Sequence, residues 1–385
     1  MTARSREEEF RVSTPLELLF DLCFVVAVAQ AGNRLVNAEA EGHPGYGLTS
    51  YAFVFFVIWW AWVNFTWFAS AYDTDDVAYR LATLVQMSGV LVLAAGVPRA
   101  FDHHDFTVAV VGYLIMRAAL TLQWLRVARS ETGPVRQTAV RYATGLALVQ
   151  LGWLIMVLLP RSVWTWGFVT LAICEVSVPV IAERHQATSW HPHHIAERYG
   201  LFTMIILGET ISASTVAVQV ALDEKNVLFD LLPIAGGGLL LVFAAYWIYF
   251  DVPIHEHLAQ DETPPFAWGY GHYFVFASGA AVGAGLEVAV YKVIGKTHIS
   301  QLAAAAAVTV PIAVFLVATW AVHARHDKRE TAQWMVLPVS AVLVLACTFA
   351  GHWAVLLSGL VSVAMIASAV ILAARAAAAS PPGPA

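Results

Sequence analysis

Two carboxylates, Glu17 and Asp21, stand four residues apart inside "TPLELLFDLCFVVAVAQ", an apolar run long enough to cross a bilayer. An ionised side chain at mid-membrane costs about 2.5–3.5 kcal/mol even on lenient scales, so acids placed there need partners or a chemical task. A spacing of four puts both on one helical face. Glu17 has a structural role open to it, because Thr14, Pro15 and Glu17 fit the N-cap, N1 and N3 positions of a capping box. Asp21 lies a turn deeper, beyond the reach of capping, and must hold a proton or find a cation or hydrogen-bond donors. Three more acids, Glu175, Glu209 and Glu287, fall inside apolar runs, against one deep cation, Arg117 in "YLIMRAALTLQW". The scarcity of cations makes Asp21 the expected partner of Arg117. The acids left over are expected to be protonated or to face water, which is the pattern of a proton relay.

The densest polar stretch is "SWHPHHIAERYGLFTMIILGETIS", with His191, His193 and His194, then Glu197 and Arg198 at a helix entrance, then Glu209 three turns deeper. His194 and Glu197 share a face and, with Glu209, form the candidate metal ligands of an alternative, enzymatic reading. His191 and His193 read as a solvated interfacial loop. In "YWIYFDVPIHEH", Pro253 is expected to end or bend the helix before His255 can join Asp251 as a ligand, leaving a surface turn. The aromatics of "WWAWVNFTWFASAYDTDDVAYR" fit an interfacial girdle, and Asp75 and Asp76 are placed to cap the helix that follows.

The elements that must position these groups are membrane helices. Of 385 residues, 59% are hydrophobic and 12% charged, and the mean hydropathy is +0.67. Soluble chains carry about 25% charged residues, so the composition is that of a polytopic membrane protein. Apolar runs near 14–35, 48–71, 78–98, 106–127, 138–159, 163–183, 199–220, 229–250, 267–291, 300–323, 333–350 and 352–376 predict an all-α transmembrane bundle of about twelve helices, with the count dropping to eleven if "GHW" does not separate the last two. The bundle, 14–376, has candidate six-helix repeat halves at 14–183 and 199–376. It is flanked by a polar segment 1–13, unlike a cleaved signal peptide, and a disordered tail 377–385. Lys and Arg number fourteen on the side shared by both termini and six on the other, which predicts cytoplasmic termini. The net charge of −6 says little about partners, because most of the surface faces lipid, and no basic tract resembles a nucleic-acid footprint. Cys23, Cys174 and Cys347 have no metal or disulfide spacing. Nucleotide-binding and hydrolase motifs are missing, and no cofactor is indicated.

"TPLELLFDLCFVVAVAQ", "WWAWVNFTWFASAYDTDD", "HIAERYGLFTMIILGETI" and "YWIYFD" together resemble the bacterial low temperature requirement A (LtrA) family of integral membrane proteins, in the family's order and across about two thirds of the chain. The resemblance implies polar family positions at Glu17, Asp21, Trp60, Asp73, Asp75, Arg80, His194, Glu197, Arg198, Gly208, Glu209 and Asp251; His191 and His193 are not among them. The resulting expectation is a bacterial inner-membrane protein that moves a small solute or ion, with Asp21 and Glu209 at the centre of a shared polar cavity and Glu17, Arg117, Glu175 and Glu197 around them. The rivals are a membrane-embedded metal enzyme and a non-catalytic cold-growth factor in which the acids staple helices together.

Overall fold

The computed structural model describes residues 11–103, 105–223, 227–259, 264–324 and 331–379, and every regular element among them is helical. In chain order these are α1 (Pro15–Ala40), α2 (Pro44–Tyr72), α3 (Val77–His103), α4 (Thr107–Ser130), α5 (Gly133–Leu158), α6 (Trp164–Glu183), α7 (Pro192–Asp223), α8 (Leu228–Phe250), the short α9 (Ile254–Ala259), α10 (Pro265–Val293), α11 (Gln301–Thr319), α12 (Thr331–Cys347) and α13 (Ala354–Ala379). Proline opens α1, α2, α7 and α10, where its missing N–H has no intrahelical acceptor to lose and its φ already suits a helix. Pro253 separates α8 from α9, as its ring requires.

Eleven stretches among the described residues are long and apolar enough to cross a bilayer. The last runs from Ala332 to Arg375, 44 residues, about twice what one crossing needs. It is broken at Gly351, whose φ of 65° and ψ of −129° are not helical. A side chain resists that backbone, so the glycine divides the run into α12 and α13, which pack on each other. The helix pair expected around "GHW" is therefore present. Helix α13 continues to Ala379 rather than ending at 376, and 380–385 lie outside the described residues.

The chain divides into two compact units: residues 1–34 with 49–199, and residues 35–48 with 200–385. In the first, α2 is the most buried helix, with Phe55, Trp59, Trp60, Trp62, Phe65 and Phe68 all inside. The expected aromatic girdle is thus an interior core. Helices α3 and α4 meet backbone to backbone: a Cβ on Gly112 would collide with the Leu93 nitrogen. Small residues permit this approach where helices gain nothing from water exclusion. The second unit repeats the device, since a Cβ on Gly285 of α10 would collide with the Ala307 carbonyl of α11. Its apolar core is shared by α8, α10, α11, α12 and α13, around Leu241, Leu286, Val308, Leu316 and Val344.

Candidate functional site

Two ion clusters are buried in the first unit, and the tryptophans of α2 reach both. The first joins α1 to the start of α7. Glu17 and Asp21 are one helical turn apart on α1, His194 and Arg198 one turn apart on α7, and none of the four is more than 1% exposed. Arg198 Nη1 lies 3.0 Å from Glu17 Oε1, and its Nη2 donates to Asp21 Oδ1. His194 Nε2 lies 3.1 Å from Glu17 Oε1. Trp62 Nε1 donates to the same Asp21 Oδ1 at 2.7 Å. Its indole is braced edge-on by Tyr199, whose hydroxyl accepts from Trp67 Nε1 at 3.0 Å.

Glu17 also makes the capping box its spacing predicts. Its Oε2 accepts from the Thr14 amide at 2.8 Å and the Thr14 hydroxyl at 3.0 Å. Capping and ion pairing are performed by one carboxylate. The segment before it is tied down as well: the Arg11 guanidinium donates to the Ser70 and Ala69 carbonyls at the C-terminal end of α2 and lies 3.9 Å from the Asp73 carboxylate. Cations are favoured at that negative end of a helix. The Ser13 amide donates to Glu197 at 3.1 Å, and His193 Nδ1 lies 3.1 Å from the Arg11 carbonyl.

The second cluster joins α4, α5 and α6. Glu175 accepts from Trp60 Nε1 (2.8 Å), Tyr113 OH (3.0 Å), Trp153 Nε1 (3.1 Å) and Arg117 Nη2 (3.2 Å). Arg117 also donates to Tyr113 and stands over its ring. Trp60 and Trp62 are two residues apart, about 200° around α2, so the helix offers one indole N–H to each cluster from nearly opposite faces. The clusters differ in charge. Glu175 and Arg117 balance, and four donors satisfy two oxygens. The α1–α7 quartet has two carboxylates for one guanidinium, and Asp21 Oδ2 is buried with no donor.

The chain matches the family model of the bacterial low temperature requirement A protein (LtrA) over residues 12–374. It belongs to that family. It is also 25% identical over 291 residues to an uncharacterized protein of Rhizobium meliloti (strain 1021), covering 70% of this chain and 67% of that one.

For this LtrA-family chain, the structure changes several expected roles. Arg117 pairs with Glu175, not with Asp21; the cation of Asp21 is Arg198. Because α7 begins at Pro192 rather than near 199, Arg198 lies two turns inside the helix instead of at its entrance. His191 is buried, with its amide donating to Ser70 Oγ at 3.0 Å, not solvated. Glu197 is half-buried on the neighbouring face of α7. Glu209 belongs to the second unit and is half-buried, and Glu287 accepts from Tyr291 of its own helix at 2.8 Å. Among the described residues no three His, Cys, Asp or Glu side chains converge as metal ligands; of the candidate set, His194 and Glu197 lie in the first unit and Glu209 in the second. Asp76 caps α3 through the Tyr79 amide at 2.9 Å, whereas Asp75 pairs with Arg80. Asp251 lines, with Trp247 and Gln333, a cavity of about 200 Å³ in the second unit. Sequence reading missed Arg11, Tyr113, Trp153 and the donor role of the tryptophans. The one available signal was "WAW", which must point two indoles to opposite sides of a helix.

Proposed function

We propose that this chain moves a small solute or ion across a bacterial cytoplasmic membrane, in steps coupled to a proton held by Glu17, Asp21, His194 and Arg198. The observation that carries the reading is the surplus acid. With the imidazole neutral, the sealed quartet has one uncompensated negative charge, and burying such a charge costs far more than taking up a proton. Two positions can receive it: Asp21 Oδ2 and His194 Nδ1 are both buried without a hydrogen-bond partner. Occupying either changes what Arg198 must balance, and so couples proton uptake to the packing of α1 on α7.

Arg117 and Glu175 serve as a neutral anchor, because each Glu175 oxygen is already doubly engaged. Glu197 stands with Ser13 beside the quartet. Glu209, in the second unit, supplies a further protonatable carboxylate in this reading. Both termini face the cytoplasm in this reading. A reporter fused after Ala385 checks that arrangement, and an external signal counts against it.

Currents on solid-supported membranes test the coupling. Proteoliposomes are exposed in turn to a panel of inorganic cations, amines, amino acids and neutral solutes, with and without a pH step. The expected result is a current with at least one solute that depends on the pH step and is lost in Asp21→Asn. A pH-independent current, or one unchanged in the variant, contradicts the proposal.

A further inference from the structure

The second unit buries two histidines that the quartet does not use. His272 of α10 and His323 are 0% and 1% exposed, with ring centroids 5.3 Å apart. His323 sits in a π-helical turn, Trp320–Ala324, that continues α11. Single π turns are rare and recur at functional sites, since they re-aim a side chain at the expense of regular bonding.

Backbone carbonyls only accept, so they settle how the rings carry their protons. His272 Nδ1 lies 2.8 Å from the Trp268 carbonyl, and His323 Nδ1 lies 3.2 Å from the Tyr249 carbonyl near the end of α8. Both nitrogens therefore carry hydrogen. The lone pair of neutral His272 is on Nε2, and the Tyr249 hydroxyl donates to it at 3.0 Å. Tyr249 in turn accepts from the hydroxyl of Thr203, a residue of α7. The bonds form an oriented chain, Thr203 to Tyr249 to His272. Capping a carbonyl explains one nitrogen of each ring. It does not explain an O–H relay delivered to the other nitrogen of His272.

We propose that His272 and His323 form a second proton site, distinct from the quartet, that accepts one proton through the Tyr249 hydroxyl. When Nε2 is protonated, it donates to Tyr249, whose O–H turns away, and the chain reverses. Burying an imidazolium carries a desolvation cost, and the Trp268 and Phe276 rings, 4.3 and 5.4 Å from the His272 ring centroid to centroid, offset part of it. Among the described residues, the titratable groups facing His272 include Tyr249 from α8 and His323 from the π turn, with Thr203 adding a hydroxyl from α7. A proton on one imidazole opposes a second at 5.3 Å, so the pair holds one.

Nitrogen-15 NMR of ring-labelled histidine in the full chain, embedded in lipid nanodiscs and titrated between about pH 5 and 8, tests this. His272→Asn and Tyr249→Phe each identify the His272 signals, so one folded variant suffices. The expected result is that both rings are Nδ1–H tautomers at high pH and that one imidazolium forms per pair on acidification. Two rings that stay neutral throughout, or two that protonate independently, overturn the proposal. The measurement counts protons and needs no solute, so it can fail while the transport reading stands, and the reverse.

Discussion

Replacing Arg198 with glutamine removes the one guanidinium of the quartet and leaves Glu17 and Asp21 a turn apart in a sealed interior. Loss of one partner from a buried ion pair typically costs about 3–5 kcal/mol. His194, 3.1 Å from Glu17, can be protonated to offset part of this, which places the expected loss near the lower figure. Asp21→Asn should behave differently, for a reason visible in the bonding. Both donors to Asp21, Trp62 Nε1 and Arg198 Nη2, converge on Oδ1, and an asparagine keeps that oxygen. The quartet is then neutral without a proton, and the remaining cost is an amide placed where Oδ2 had no donor, about 1 kcal/mol. Equilibrium unfolding in mixed micelles should therefore separate the two variants by about 2 kcal/mol or more. The double variant should be no less stable than Arg198→Gln alone, a coupling that independent sites lack. If Asp21→Asn is as damaging as Arg198→Gln, the surplus-acid reasoning is wrong.

Trp60→Phe and Trp62→Phe each delete one N–H bond to a buried carboxylate and should cost about 1.5–3 kcal/mol by the same unfolding measurement, while Trp67→Phe, which bonds a neutral hydroxyl, should cost less. Gly112→Val and Gly285→Val push side chains into a facing backbone and should lower the yield of folded protein on size-exclusion chromatography; an unchanged profile would contradict the close approach of those helices. Asp76, in the turn before α3, is held below the usual carboxylate range by hydrogen bonds from Arg126 and from the Tyr79 amide. A depressed carboxyl contributes stability that is present above the unfolded value of about 3.9 and is lost as pH falls below it, so acid should destabilise the wild type there more than Asp76→Asn.

Hydropathy made the bundle legible, since stretches this apolar have few folded alternatives, and the Thr14–Glu17 cap followed from spacing alone. Even the division at "GHW" could be read, because a glycine between two apolar runs permits the positive φ found at Gly351. Partner choice was not legible. Arg198 looked interfacial because "HHIAERYG" is polar, yet the helix begins at Pro192 and carries the arginine into the interior. Its polarity is that of a buried ion cluster, and composition does not distinguish the two cases. The tryptophans of α2 misled in a related way. An indole is as suitable at a lipid interface as beside a buried acid, since both satisfy its one N–H. Only the packing of α2 among its neighbours selects the second.

The central claim is that the α1–α7 quartet holds one exchangeable proton, and a difference titration measures it most directly. Proton uptake by wild type and by Asp21→Asn is recorded potentiometrically between about pH 5 and 8, the range in which an unperturbed imidazole titrates. The account predicts that wild type takes up one proton more per chain than the variant. Identical curves from two folded samples would show that the quartet carries no exchangeable proton and would contradict it.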